Sequence, residues 1–154
     1  MKFSTREDIE APIAFVFDRA SDFDALEKRG RQYGAEISRN GDGPAQVGMA
    51  WDAVFEFRGR NRQMQVKLTQ FTPPEAYIFE TEMNGLTAVS DVTLVSLSPS
   101  RTRLAIGIDL RAHTLTARLL LQSMKLAKTK LTKRFKARVR DYAEDIEEAY
   151  RAQT

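Results

Sequence analysis

With 154 residues, no cysteine and a single histidine, the chain cannot form disulfides, use a thiolate or assemble a Cys/His zinc site. Its length suits one domain, residues 1–154, that buries about two thirds of the surface an unfolded chain exposes, and any metal would have to be held by carboxylates. The net charge of +3 is local, because residues 115–154 hold ten Lys/Arg against five Asp/Glu while everything upstream is slightly acidic.

The N-terminal stretch MKFSTREDIEAP lacks the apolar core of a signal peptide. No segment approaches the roughly 18 apolar residues of a membrane span, so the expectation is a soluble, cytoplasmic protein.

A first strand is expected from Phe3 to Ile9, followed by a helix that starts at Ala11-Pro12, since proline lacks the donor that a first turn leaves unpaired anyway. That helix carries Ile13, Val16 and Phe17 at helical spacing, and a second one runs from Asp22, as N-cap, to about Arg31. From Gly34 the period changes to two, with strands at about 34–39, 47–58, 62–71, 76–83, 86–97 and 102–111. The separators NGDGP, Gly59-Arg60, TPPE, Asn84-Gly85 and Ser98-Pro99-Ser100 are short enough to impose antiparallel hairpins.

Alternation assigns the faces. Trp51, Ala53, Phe55 and Phe57 share one side, as do Met64, Val66 and Leu68, then Tyr77, Phe79 and Met83, then Leu104, Ile106, Ile108 and Leu110. Asp52, Glu56, Arg58, Gln65, Lys67, Glu80, Glu82, Asp109 and Arg111 oppose them. In the strand 86–97, Val89, Val95 and Leu97 compete with Val92 and Leu94 for the inside.

The chain closes with a helical pattern from Thr116 to Ala149, whose apolar stripe is Leu120, Met124, Ala127, Leu131, Phe135, Tyr142, Ile146 and Ala149, broken by Arg138. One uninterrupted helix of that length would span ~51 Å. A compact chain of this size is only about 40 Å across, so the helix must cross the whole domain. An antiparallel sheet with one dry face, curled around that helix, is the economical arrangement.

Several motifs in this order, Ile9-x-Ala11-Pro12-x-x-x-Val16-Phe17-x-x-x-x-Asp22, a Gly48-led aromatic strand, Pro73-Pro74-Glu75-x-x-x-Phe79-Glu80 and a long C-terminal helix, resemble the helix-grip superfamily. That superfamily takes in birch-pollen-allergen-like proteins, START domains, polyketide cyclases and coenzyme-Q-binding proteins. The resemblance covers essentially the full chain and implies an α+β helix-grip fold: a seven-stranded curved antiparallel sheet wrapped around a long C-terminal helix, with two short helices after the first strand. Many members carry a tryptophan just after the position of Asp22, where this chain has Phe23-Asp24-Ala25-Leu26, which leaves the subfamily open. Members typically hold an apolar small molecule between sheet and helix, so the resemblance implies a cavity here. It does not imply a reaction, because one fold hosts carriers, cyclases and regulators alike.

Candidate ligand-binding residues are Trp51, Phe55, Phe57, Tyr77, Phe79, Met83, Ile106 and Ile108 from the sheet, with Leu120 and Met124 from the helix. Aromatics and flexible methionines suit a flat or chain-like apolar ligand such as a lipid, quinone or polyketide, although alternation alone does not tell a hollow from a filled core. No cofactor is indicated. Were the protein an enzyme, of the aromatase or cyclase type, Tyr77 and His113 would be the residues to test, but a lone histidine with no predictable orienting partner is more often a local hydrogen-bonding residue. The carboxylates Asp52, Glu80, Glu82, Asp91 and Asp109 read as solvated partners of Arg58, Lys67 and Arg111; a register slip of one residue would turn Asp52 and Asp109 inward.

Eight basic residues and no acid lie between Lys125 and Arg140, and Lys125, Lys133, Lys136 and Arg140 fall on the outer side of the helix. The bland reading is a solvated face. The alternatives are an anionic membrane surface or an acidic protein partner. No aromatic residues interleave these positions, which argues against nucleic acid. Oligomeric state is not readable from the sequence.

Overall fold

The computed structural model describes residues 1–153. Chain order is β1 (Lys2–Ile9), α1 (Ile13–Ala20), α2 (Phe23–Gln32), β2 (Glu36–Asn40), β3 (Ala50–Phe57), β4 (Arg60–Thr72), β5 (Ala76–Met83), β6 (Leu86–Ser98), β7 (Arg101–Ala112), α3 (Leu115–Leu126) and α4 (Lys128–Ala152). All seven strands form one curved antiparallel sheet in the order β1-β7-β6-β5-β4-β3-β2. Strands β2 to β7 are a meander, and α1 and α2 carry the chain from β1 at one edge to β2 at the other.

Local chemistry sets the element ends. Asp22 caps α2 by accepting from the Ala25 N–H at 3.1 Å, and Thr114 caps α3 by accepting from Ala117 N–H at 3.1 Å. The β5–β6 hairpin turns on Asn84 and Gly85, at φ of 47° and 83°, the backbone that a two-residue turn demands. The β3–β4 turn falls on Arg58 and Gly59, at φ of 54° and 71°, one residue earlier than Gly59-Arg60, so Arg60 opens the next strand.

Register confirms the faces and decides the ambiguous strand. Val92 pairs with Ile106 and Leu94 with Leu104, so they join the inner layer. Val89, Val95 and Leu97 project from the other side, at 37%, 56% and 41% exposure.

The single helix expected over 116–149 is two. It breaks at Ala127, where φ is −104° and ψ 15°, leaving the 25-residue α4 as the long C-terminal helix. No glycine or proline stands at the break. On either side of it α3 packs against β7 and α4 against β1. The inner stripe passes over Val139 and Ala143, while the Arg138 guanidinium lies outside, over the Tyr33 ring at 4.2 Å.

Candidate functional site

The concave side of the sheet divides into a tightly packed half and a half whose apolar side chains are only partly buried. In the packed half, Val16, Phe17, Ala20 and Phe23 of α1 and α2 meet Trp51, Leu68, Tyr77, Leu94 and Leu104 of the sheet and Ala143 and Ile146 of α4. The Phe23 ring lies 5.5 Å from Trp51, 5.4 Å from Tyr77 and 5.4 Å from Phe79, mostly edge to face. Two polar tips inside this cluster have partners, while the Tyr142 hydroxyl packed against it is buried without one. Trp51 Nε1 donates to Glu27 Oε1 at 2.6 Å, and the Tyr77 hydroxyl donates to the Ala20 carbonyl at 2.8 Å.

The partly buried half lies between the far ends of β3–β7 and helix α3. Phe55, Phe57, Met64, Met83, Ile106, Ile108 and Leu110 all point to the concave side, yet each is only half-buried. Leu120, Leu121 and Met124 on the inner stripe of α3 are half-buried as well. Of the ten expected ligand-binding residues, Trp51 and Tyr77 belong to the packed cluster, Phe79 and Ile106 pack against it, and Phe55, Phe57, Met83, Ile108, Leu120 and Met124 are half-buried outside it. Across the mouth, the guanidinium of Arg58 donates to Ser123 Oγ and ties the β3–β4 turn to α3.

Burial pushes the Tyr77 hydroxyl far above the usual phenol range, with Tyr142 adding to the shift. Tyr142, packed between α4 and α2 with the Arg29 guanidinium 5.1 Å from its ring, is pushed up to about 12 by burial, against the opposing pull of Arg29 and Arg19. Both phenols lie with the packed half. His113 is exposed; its Nε2 is 2.9 Å from Thr87 Oγ1, on the outer side of the sheet, and its backbone N–H donates to Gly85 at 2.7 Å. It is a junction residue.

Asp52, Glu80, Glu82, Asp91 and Asp109 all lie on the outer side, but of the expected partners only Arg111 pairs with one of them, and Arg58, placed in the β3–β4 turn, is directed to Ser123 instead. Asp52 accepts from Asn40 Nδ2 at 3.0 Å, and Asp109 pairs with Arg111 at 3.2 Å. A groove of about 580 Å3 runs over this surface past Asn40, Asp52, Gln65, Lys67, Glu80 and Glu82. Its mixed charges suit solvent better than an apolar ligand. Among the described residues no group of three or more His, Asp or Glu side chains is arranged to hold a metal ion.

Lys125, Lys133, Lys136 and Arg140 are exposed, and Arg140 reaches Glu7 of β1 at 3.8 Å. No described helix is long and apolar enough to cross a membrane.

Two features escaped the sequence reading. Arg62 pairs with Phe55, so its side chain emerges on the concave face in the row of Met64, Val66 and Leu68. Its Nε is buried and has no hydrogen-bond partner. Extending the alternation of that strand by one step would have found it. The second is a stripe of exposed leucines on α3: Leu115, Leu119 and Leu126, at 73%, 59% and 92%. Their spacing is helical, but one apolar stripe had already been assigned to that segment.

No protein-family profile matches the chain, and no curated protein does. Solved structures do. The ZhuI aromatase/cyclase of Streptomyces sp. R1128 is 12% identical, with a TM-score of 0.70 over 99% of this chain and 97% of that one. A conserved protein of Geobacillus kaustophilus is 15% identical, with a TM-score of 0.64 over 97% and 94%. A START superfamily protein of Mycobacterium smegmatis is 16% identical, with a TM-score of 0.53 over 86% and 95%. At such identities the likeness is one of fold, and the seven-stranded sheet closed by a C-terminal helix is the helix-grip fold.

Proposed function

We propose that the protein binds and carries an apolar small molecule in the hollow between the sheet and α3, without transforming it. The observation that carries this reading is the incomplete burial of Phe55, Phe57, Met83, Ile108, Leu120 and Met124, apolar side chains on the concave side that lie outside the packed core cluster. Such surface is normally buried, and a hollow lined by it favours an occupant with little polar surface. The fold shared with an aromatase/cyclase and a START superfamily protein is in keeping with it. Catalysis is disfavoured by where the candidate groups lie: the Tyr77 hydroxyl is held by Ala20, and His113 faces away. Native mass spectrometry of gently purified protein tests the reading. A discrete added mass that is lost on denaturation is expected; an apo mass together with no uptake of long-chain or polycyclic compounds would overturn it.

A second reading, that the mouth works against an anionic lipid surface, is favoured by the exposed Leu115, Leu119 and Leu126 beside Lys125, Lys128, Lys130 and Lys133. Apolar anchors ringed by cations are what an interfacial helix presents to such a surface.

A further inference from the structure

The concave face carries four charged side chains by register, and three have an evident environment. Arg39, opposite Trp51, donates to Glu27 at 2.8 Å and to Asp24 at 2.6 Å. Glu7, opposite Leu104, lies 3.8 Å from Arg140. Arg60 sits at the hairpin end of β4 and is exposed. Arg62 is the exception: half-buried, its Nε sealed from solvent, with no hydrogen bond and no ion pair among the described residues.

Its surroundings supply no counter-charge. The guanidinium lies 5.8 Å from the Phe57 ring centroid, and the Arg58 guanidinium lies 5.4 Å from the same ring, so one phenyl is shared by two cations. Phe55 faces Arg62 across the strand pair, and Met64 follows it on the same face. The nearest acid on β3, Glu56, is opposite Asn61 and points to the outer side. A guanidinium held among apolar groups with an unsatisfied donor is costly, and that cost is recovered when an anion supplies the missing acceptors. Its flat fork matches a carboxylate with two parallel hydrogen bonds, which a neutral hydroxyl cannot reproduce.

We infer that Arg62 is the ligand's polar anchor, and that the hollow takes an apolar acid, a long-chain or polycyclic carboxylate, with its carboxylate at the β3–β4 rim and its apolar body running inward between Ile106, Ile108 and Met124. This rests on the carrier reading above and narrows it to one ligand class.

Two matched probe pairs test it by titration: dodecanoate against dodecan-1-ol, and 2-naphthoate against 2-naphthalenemethanol, each with wild type, Arg62→Gln and Arg60→Gln. In at least one pair the acid is expected to bind wild type about tenfold or more tighter than the alcohol, the scale of one charge-assisted contact. Arg62→Gln should erase that preference while leaving alcohol binding within about twofold, which also shows that the variant folds and keeps its hollow. If Arg62→Gln does not fold, Arg62→Lys keeps the charge, removes Nε and should lose most of the preference. Equal binding of acid and alcohol by wild type overturns the anchor but leaves the carrier reading intact. Equal loss of the preference in Arg60→Gln also overturns it, by showing that general positive charge draws the acid. Binding of none of the four probes overturns both.

Discussion

Trp51 Nε1 and Arg39 Nε donate to the same oxygen of Glu27, at 2.6 Å and 2.8 Å, so one carboxylate of α2 fastens β2 and β3 together beneath the packed half of the concavity. Glu27 and Arg39 are well buried, at 12% and 20% side-chain exposure, which makes loss of the shared acceptor expensive. Glu27→Ala strands an indole donor and leaves Arg39 only Asp24. The expected cost is about 2–4 kcal/mol, read as a lower urea midpoint at unchanged slope.

Tyr77 gives the corresponding test at α1. Tyr77→Phe keeps the ring within its aromatic cluster and removes only the donor to Ala20. A loss of about 1–2 kcal/mol in stability is expected. Occupancy by a bound apolar molecule should not change; a marked fall in occupancy would place the hydroxyl in the binding site after all.

Alternation read most of the inner face correctly because a buried sheet face punishes a one-residue slip, and Trp51, Phe55, Met64, Phe79 and Ile106 are all large enough to mark it. It left β6 undecided, because Val89 and Val95 are as apolar as Val92. Only pairing with Ile106 separates them, and pairing is not written in local sequence. The break at Ala127 was hidden because Leu126-Ala127-Lys128 contains good helix formers. The division of the concave face into a packed and a partly buried half was equally invisible. It depends on α1 and α2 filling one end and leaving the other.

Arg58 is the non-glycine, non-asparagine residue at positive φ in the described chain, and its strained position aims the guanidinium at Ser123. Arg58→Asn should suit the turn at least as well, because asparagine tolerates that backbone, while releasing α3 from the rim. Hydrogen exchange is expected to show faster exchange for amides of α3 with the β3–β4 hairpin unchanged, and faster release of any bound apolar molecule. Unaltered exchange in α3 would mean that its packing on β7 holds it without Arg58.

Alkali should weaken the packed half before it weakens the rest. The unfolded chain releases the Tyr142 proton near 10.0 and the folded chain near 12, so between those values the folded state holds the extra proton and stability falls as pH rises. Below that window the neutral phenol is present in both states and contributes no slope. Stability measured by urea across the window should decline, and Tyr142→Phe should decline less steeply. Identical slopes would show that Tyr142 ionises in the folded protein as freely as in the unfolded chain.

The leucine stripe on α3 separates a lipid surface from a merely solvated face. At 100° per residue Leu115, Leu119 and Leu126 lie within about 40° of one another, on the side of α3 opposite Met124 and Ala117. They can therefore insert without disturbing the residues that close the hollow. Lys125, Lys128, Lys130 and Lys133 cluster around the C-terminal end of that stripe, where Leu126, Ala127 and Thr129 shape a shallow open hollow with Lys130 and Lys133. Each lysine near an anionic bilayer contributes about 1 kcal/mol, enough for reversible association when joined to a few apolar anchors. Co-sedimentation with phosphatidylglycerol vesicles is expected, with weaker binding to phosphatidylcholine alone. Leu119→Glu with Leu126→Glu should reduce it, and so should Lys133→Glu with Lys136→Glu. Binding that survives both double variants would remove the stripe from consideration, and the lysines would then be the solvated back of a helix whose work is done on its other side.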